Sequence, residues 1–318
     1  MKIAHIHIFS LLLVFSSCQG QEAVESTCEL DFSVEEMSQE LTLGNVRFED
    51  PLMRKAVIES NASLGLNSDT PIKYIEKIIV SHQVLSSTKD LQYFFNLKTL
   101  IIDDAQISCI NLSNNINLEQ LQLPNNELKT IDLSPLTKLE GLNLEGNRFS
   151  AIDLTSNPSI EQLVLGNNRL TEIDLNALEY LEGLDVSHNQ LVSLNLDNNV
   201  HVNHLEANNN KIEKIATKHL AELAHINLFD NKLTEVDLSE NQYLSDILLA
   251  NNQIHSIALP NTDIDQLILA HNKIVDIVLP AEMTFRTFWL YENPLSDKTI
   301  GYLDQIGGVS MGNTSDDE

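Results

Sequence analysis

Apolar residues recur along this chain in a fixed frame. From Leu97 onward, a run of the form L-x-x-L-x-L leads to an asparagine and then to a second, looser alternation, as in Leu118-x-x-Leu121-x-Leu123, Asn126, Leu128-x-x-Ile131-x-Leu133. The asparagines are Asn126, Asn147, Asn168, Asn189, Asn210, Asn231, Asn252, Asn272 and Asn293, spaced by 21 residues except for one step of 20. Ten units begin at Leu97, Leu118, Leu139, Ile160, Leu181, Val202, Leu223, Leu244, Ile264 and Phe285, with Ala105 in the asparagine place of the first. A fixed period of this length is the signature of a solenoid in which each coil buries its apolar edge only against its neighbours. Period-two alternation over a few residues predicts strand, and about ten residues per half-coil leaves no room for a proper helix. The expected architecture is a mostly β solenoid with two parallel sheets back to back, one concave and one convex. Leucines point inward, and the asparagine turns in to satisfy backbone groups at the buried bend.

On these motifs the chain resembles the leucine-rich repeat family over roughly two thirds of its length. The unit Leu118-Glu-Gln-Leu-Gln-Leu-Pro-Asn-Asn-Glu-Leu-Lys-Thr-Ile-Asp-Leu-Ser is similar to the short 21-residue class of Bacteroidetes-type surface lipoproteins and internalin-like adhesins. The resemblance implies ligand binding on a curved face and leaves the ligand open.

The ends divide the chain further. Lys2, an apolar stretch from Ile8 to Phe15 and then Ser16-Ser17-Cys18 read as a secretory signal over residues 1–18, too short to span a membrane. The small residues before Cys18 resemble a lipoprotein cleavage box, although Phe15 stands where a smaller aliphatic residue is usual. Cys18 is either the lipidated anchor of an outer-membrane or cell-surface protein, or part of a plain secretion signal that leaves a secreted or periplasmic chain. Residues 19–30 then form a tether, 31–74 a mainly helical N-terminal cap, 75–295 the solenoid, and 296–318 a C-terminal cap and tail. Asp50-Pro51 starts a helix running to about Glu59, and Ile75, Ile78 and Val80 form a degenerate zeroth coil. Ser296 caps a short helix from about Asp297 to Ile306. Gly65-Leu-Asn67-Ser-Asp69-Thr70-Pro71 matches a calcium loop too poorly to count as more than a remnant, since its first aspartate and turn glycine are missing. Cys28 and Cys109 either pair, clamping the extension onto the first coil, or remain as two thiols; Cys109 occupies an outward turn position.

A formal net charge of -27 excludes nucleic acid and an anionic membrane surface as partners, so a membrane is met only through a lipid anchor. No glycine-rich phosphate loop, H-E-x-x-H or G-x-S-x-G elbow is present, and a non-catalytic protein without cofactor is expected.

Outward positions of the strand half-coil form columns across neighbouring coils. One reads Ile101, Gln122, Asn143, Val164, Asp185, Glu206, Asn227, Leu248, Ile268, Trp289; the next reads Asp103, Pro124, Glu145, Gly166, Ser187, Asn208, Phe229, Ala250, Ala270, Tyr291. Phe229, Leu248, Ile268, Trp289 and Tyr291 thus gather in the last four coils as a candidate binding patch for a protein or glycan; covering by the C-terminal segment or by a second copy is the plainer alternative. His204 and His225 stand one coil apart with Asp246 after them, flanked by Asp185 and Glu206. Such a set suits zinc or a pH-dependent rim, but chance alignment of solvated residues accounts for it, and no resident metal is expected. On the convex side Asn111, Asp132, Asp153, Asp174, Asn195 and Asp237 form a ladder read as calcium-bridged or merely tolerated in water. Two functions follow: a surface-anchored binding protein, monomeric or weakly dimeric, or an envelope assembly protein that homodimerises through the same patch.

Overall fold

A computed structural model describes residues 41–280 and 283–306. Cys18, Cys28, the leader, the tether and the tail beyond 306 lie outside the described residues, so neither the anchor nor the Cys28 pairing is tested. Cys109 is exposed.

The chain winds as a succession of short strands: β1 (Lys77–Ser81), β2 (Thr99–Asp103), β3 (Gln120–Gln122), β4 (Gly141–Asn143), β5 (Gln162–Val164), β6 (Gly183–Asp185), β7 (His204–Glu206), β8 (His225–Asn227), β9 (Glu235–Asp237), β10 (Asp246–Leu248), β11 (Ser256–Ala258), β12 (Ile264–Ile268) and β13 (Phe285–Trp289). Eleven of them form one parallel sheet in the order β1 to β8, then β10, β12 and β13. The register pairs equivalent residues of successive coils, for example Asp185 with Glu206, Glu206 with Asn227, Asn227 with Leu248, Leu248 with Ile268 and Ile268 with Trp289. The outward column of the sequence is therefore a physical row across adjacent strands about 4.8 Å apart. Alternate residues Leu100, Leu121, Leu142, Leu163, Leu184, Leu205, Ile226, Ile247, Leu267 and Phe288 point into a dry core. A hydrogen-bonded sheet holds its coils closer than the bulkier turns opposite can pack, which puts the sheet on the concave side.

The expected convex sheet is reduced to two strands among the described residues, β9 and β11. The polar ladder marks the turn that ends each half-coil carrying it, including β9, which closes on Asp237. Asp132 accepts hydrogen bonds from the Ser134 backbone N–H (3.0 Å) and hydroxyl (2.7 Å), and Asp153 does the same with Thr155 (3.0 and 2.6 Å). Asn111, Asp174, Asn195 and Asp237 likewise accept from the N–H two residues on. Each is an Asx turn, which bends the chain before a strand can lengthen. The ladder is thus a column of turn caps.

The bend after each strand is built by an asparagine pair of positions. The residue before the consensus asparagine takes a left-handed conformation, with φ of 54° at Asn125, 55° at Asn167, 55° at Asn209 and 66° at Gly146. Asparagine, aspartate and glycine tolerate that region best. The next residue turns inward: Asn189 donates through Nδ2 to the carbonyls of Leu165, Val186 and Ser187 (3.0, 3.1 and 3.0 Å), while its Oδ1 accepts from the Leu170 N–H (2.9 Å).

Alternate coils carry a second internal ladder that the 21-residue frame conceals. Asn115, Asn157, Asn199 and Asn241 recur every 42 residues, with Leu136, Leu178 and Leu220 at the intervening places, and all are buried. Asn157 donates to the carbonyls of Leu133 (3.0 Å) and Leu136 (2.8 Å) of the preceding coil, and the other three bond the coil before them in the same way. The same double period appears outside, where Gln120 lies over Gly141 and Gln162 over Gly183, in space that a side chain at either glycine would fill.

Helix α1 (Pro51–Ser60) closes the first coil. Asp50 caps it, accepting from the Leu52 N–H at 2.7 Å, and Pro51 occupies the first turn, where its missing N–H costs nothing. Met53, Ala56 and Val57 form its buried face, and Asn61 ties its end to β1 by donating to the Lys77 carbonyl at 2.7 Å. At the other end α2 (Asp297–Ile306) is capped by Ser296, whose Oγ accepts from the Thr299 N–H at 3.2 Å; Thr299 and Ser296 both donate to Asp276, and Leu303 is buried. In the loop from Gly65 to Pro71, Asn67 Oδ1 accepts from the Asp69 N–H (2.8 Å), so the remnant's one amide oxygen is already spent on a turn.

Candidate functional site

The concave face carries two adjoining groups of side chains on β7 to β13. The first is apolar. Ala250, Ile268 and Ala270 are buried and packed against Phe229, Leu248 and Tyr291, in a cluster separate from the interior core. Ile268 is only 9% exposed although it points away from the core, because Leu248 and Trp289 stand on either side of it in the row. Small residues at 250 and 270 let the flanking rings settle onto the sheet. Trp289 remains 44% exposed, its ring centroid 6.1 Å from that of Tyr291, and His271 meets the Tyr291 ring edge-on at 5.2 Å. Phe229, Leu248 and Tyr291 are half-buried and Trp289 is the exposed member; α2 makes its hydrogen bonds elsewhere, to Asp276 and to the Leu279 carbonyl.

The second group is polar and overlaps the first: His204 and Glu206 stand on β7, His225 precedes Phe229 in the β8 coil, and Asp246 shares β10 with Leu248. The rings of His204 and His225 stack with centroids 4.4 Å apart and planes 16° from parallel. His225 Nε2 donates to Glu206 Oε1 at 2.9 Å, and His204 Nε2 lies 3.7 Å from the same oxygen. Asn227 donates to the other carboxylate oxygen, Oε2, at 2.7 Å. Asp246 stands behind His225, its Oδ2 3.9 Å from Nδ1, and is itself held by Gln266 (3.0 Å) and Ser245 (2.7 Å). Burial, then the neighbouring His225, holds His204 below its ordinary pKa, so it is neutral near pH 7. Burial pushes the Glu206 carboxyl up, but the hydrogen bond and charge of His225 and the hydrogen bond of Asn227 outweigh it, and the group titrates below its ordinary value.

The structure therefore joins His204, His225, Glu206 and Asp246 into one network. Asp185 stays at its edge: it accepts from the Ser187 N–H at 2.8 Å and acts on His204 only through its charge. Sequence reasoning missed Asn227, Gln266 and Ser245, which hold the carboxylates, and His271, which supports Tyr291. For His271 a signal was present: it replaces asparagine or aspartate at the left-handed position, where its φ is 54°.

No protein-family model matches the chain, and no curated protein matches its sequence. Solved structures do match. The leucine-rich repeat domain of APL1B superposes with a TM-score of 0.60 at 18% identity, over 86% of this chain and 95% of that one. An internalin (InlF) from Listeria monocytogenes gives 0.51 at 18% identity, over 92% and 99%. A chain of the LRIM1/APL1C complex gives 0.55 at 18% identity, over 77% of this chain and 57% of that one. Together with the 21-residue coil these likenesses establish the fold: the chain is a leucine-rich repeat solenoid.

Proposed function

We propose that this is a non-catalytic binding protein that presents the concave face of its C-terminal coils to a protein partner, and that a lipid on Cys18 holds it at the cell envelope with that face free. The observation that carries the reading is the apolar cluster outside the core. Phe229, Leu248, Ile268, Trp289 and Tyr291 occupy outward positions where earlier coils place Gln122, Asn143 or Glu145; Ile268 is buried beneath half-buried Phe229, Leu248 and Tyr291, and the exposed Trp289 with the Tyr291 ring beside it is the kind of aromatic anchor an interaction site uses. The LRIM1/APL1C complex is an assembly built on this fold, which supports a protein rather than a glycan as the ligand.

The test is the Trp289→Ala/Tyr291→Ala double variant. Loss of a central aromatic anchor weakens capture by about 2 kcal/mol, roughly thirtyfold. Because Trp289 is nearly half exposed, thermal stability should fall by no more than about 3 °C. Undiminished capture by a folded double variant would remove the patch from the binding surface. Light scattering of the wild type separates the partner reading from homodimerisation: a mass that rises to a dimer with concentration, and falls back in the double variant, would favour assembly.

A further inference from the structure

We propose that His204, Glu206 and His225 form a binding site for a divalent transition metal ion of the zinc type, next to the apolar patch and independent of whether that patch takes a partner. One ligand atom from each residue lies within 4.8 Å of the other two. An ion bound tetrahedrally with bonds of about 2.0–2.1 Å holds its donors about 3.4 Å apart. Two of the three separations already bracket that value, at 2.9 Å from His225 Nε2 to Glu206 Oε1 and 3.7 Å from His204 Nε2 to the same oxygen. The stacked imidazoles, 16° from parallel, turn about their side-chain bonds to aim both nitrogen lone pairs at one ion, which their place on the outer face of β7 and β8 leaves room for.

The surroundings are arranged as a metal site needs. Asn227 fixes Oε2 of Glu206 and leaves Oε1 directed at the two imidazoles. His225 Nδ1 faces Asp246 Oδ2 at 3.9 Å, and Asp246 is oriented by Gln266 and Ser245. When the ion takes His225 Nε2, the ring proton moves to Nδ1, on the side of Asp246, whose Oδ2 would close in from 3.9 Å to accept it in the carboxylate–histidine–metal arrangement that raises ligand basicity. Two imidazoles with one carboxylate select zinc or its neighbours over calcium or magnesium, which prefer oxygen alone. Three protein donors leave the fourth tetrahedral position to water or a ligand.

The experiment is calorimetric titration of zinc chloride into the full chain near neutral pH, with the imidazole 1H–15N correlations recorded in parallel. The expected result is one saturable site per chain that shifts the signals of His204 and His225. Glu206→Gln and His225→Ala should each weaken it by at least about tenfold, and Asp246→Asn by about tenfold while His204 and His225 still respond. Circular dichroism of each variant confirms that the fold is intact. Absence of saturable binding, or binding unchanged in both Glu206→Gln and His225→Ala, overturns the site.

Discussion

Each inward asparagine of the 21-residue frame satisfies four backbone groups that the bend would otherwise bury unpaired. In Asn189 the three carbonyl contacts and one N–H contact are all 2.9 to 3.1 Å long. Asn189→Ala strands those groups at a cost of about 3 kcal/mol, which a denaturant midpoint will show without a change in slope. Had the substitution cost under about 1 kcal/mol, the ladder would be ornament rather than scaffold. This ladder was legible in the sequence because it stands alone after a leucine run. The Asn115, Asn157, Asn199 and Asn241 ladder was not, because it sits among other turn asparagines such as Asn114 and Asn117 and alternates with leucine, so its period shows only when every second coil is compared.

At the scale of the element, the strands of the concave sheet follow from period-two alternation, and their register follows from the equal length of the coils. That is why the column from Asp185 to Trp289 could be written down before the structure and is found as paired residues in it. The convex sheet is present but short, two parallel strands among the described residues, and its Asx residues, which read in sequence as a strand's outward row, engage the backbone two residues on. These turn caps have a titration consequence. Hydrogen bonds from Lys218 and then Ser239 bring the Asp237 carboxyl down to about 2, and hydrogen bonds from Thr155 and Thr284 lower Asp153 and Asp263. A depressed folded pKa contributes stability that is complete above the unfolded value and is lost as pH falls through the folded one. The melting temperature should therefore be level from neutral pH down to about 4 and then drop toward pH 2, in the range where these carboxylates protonate. Asp237→Asn, which keeps the cap oxygen but not the charge, should flatten part of that drop; an unaltered acid limb would place the sensitivity elsewhere.

For the whole molecule, the solenoid assigns most residues to holding the frame and leaves function to the departures from it. The net charge of -27 keeps the exterior soluble and repels polyanions, whereas the last four coils break that pattern with rings and aliphatic chains. Leu248, Ile268 and Trp289 were readable as a row from the sequence. Their packing into a cluster of their own was not, since it depends on the small Ala250 and Ala270 leaving room for Phe229 and Tyr291 to pack against them. Trp289 is the single tryptophan of the 318-residue chain, so intrinsic fluorescence reports on this patch alone. Emission and acrylamide quenching, measured as a captured partner is added to the wild-type chain, address the central claim most directly. Binding at the concave patch should shift the emission to the blue and protect the ring from quencher; saturating binding that leaves both the wavelength and the quenching unchanged would contradict it.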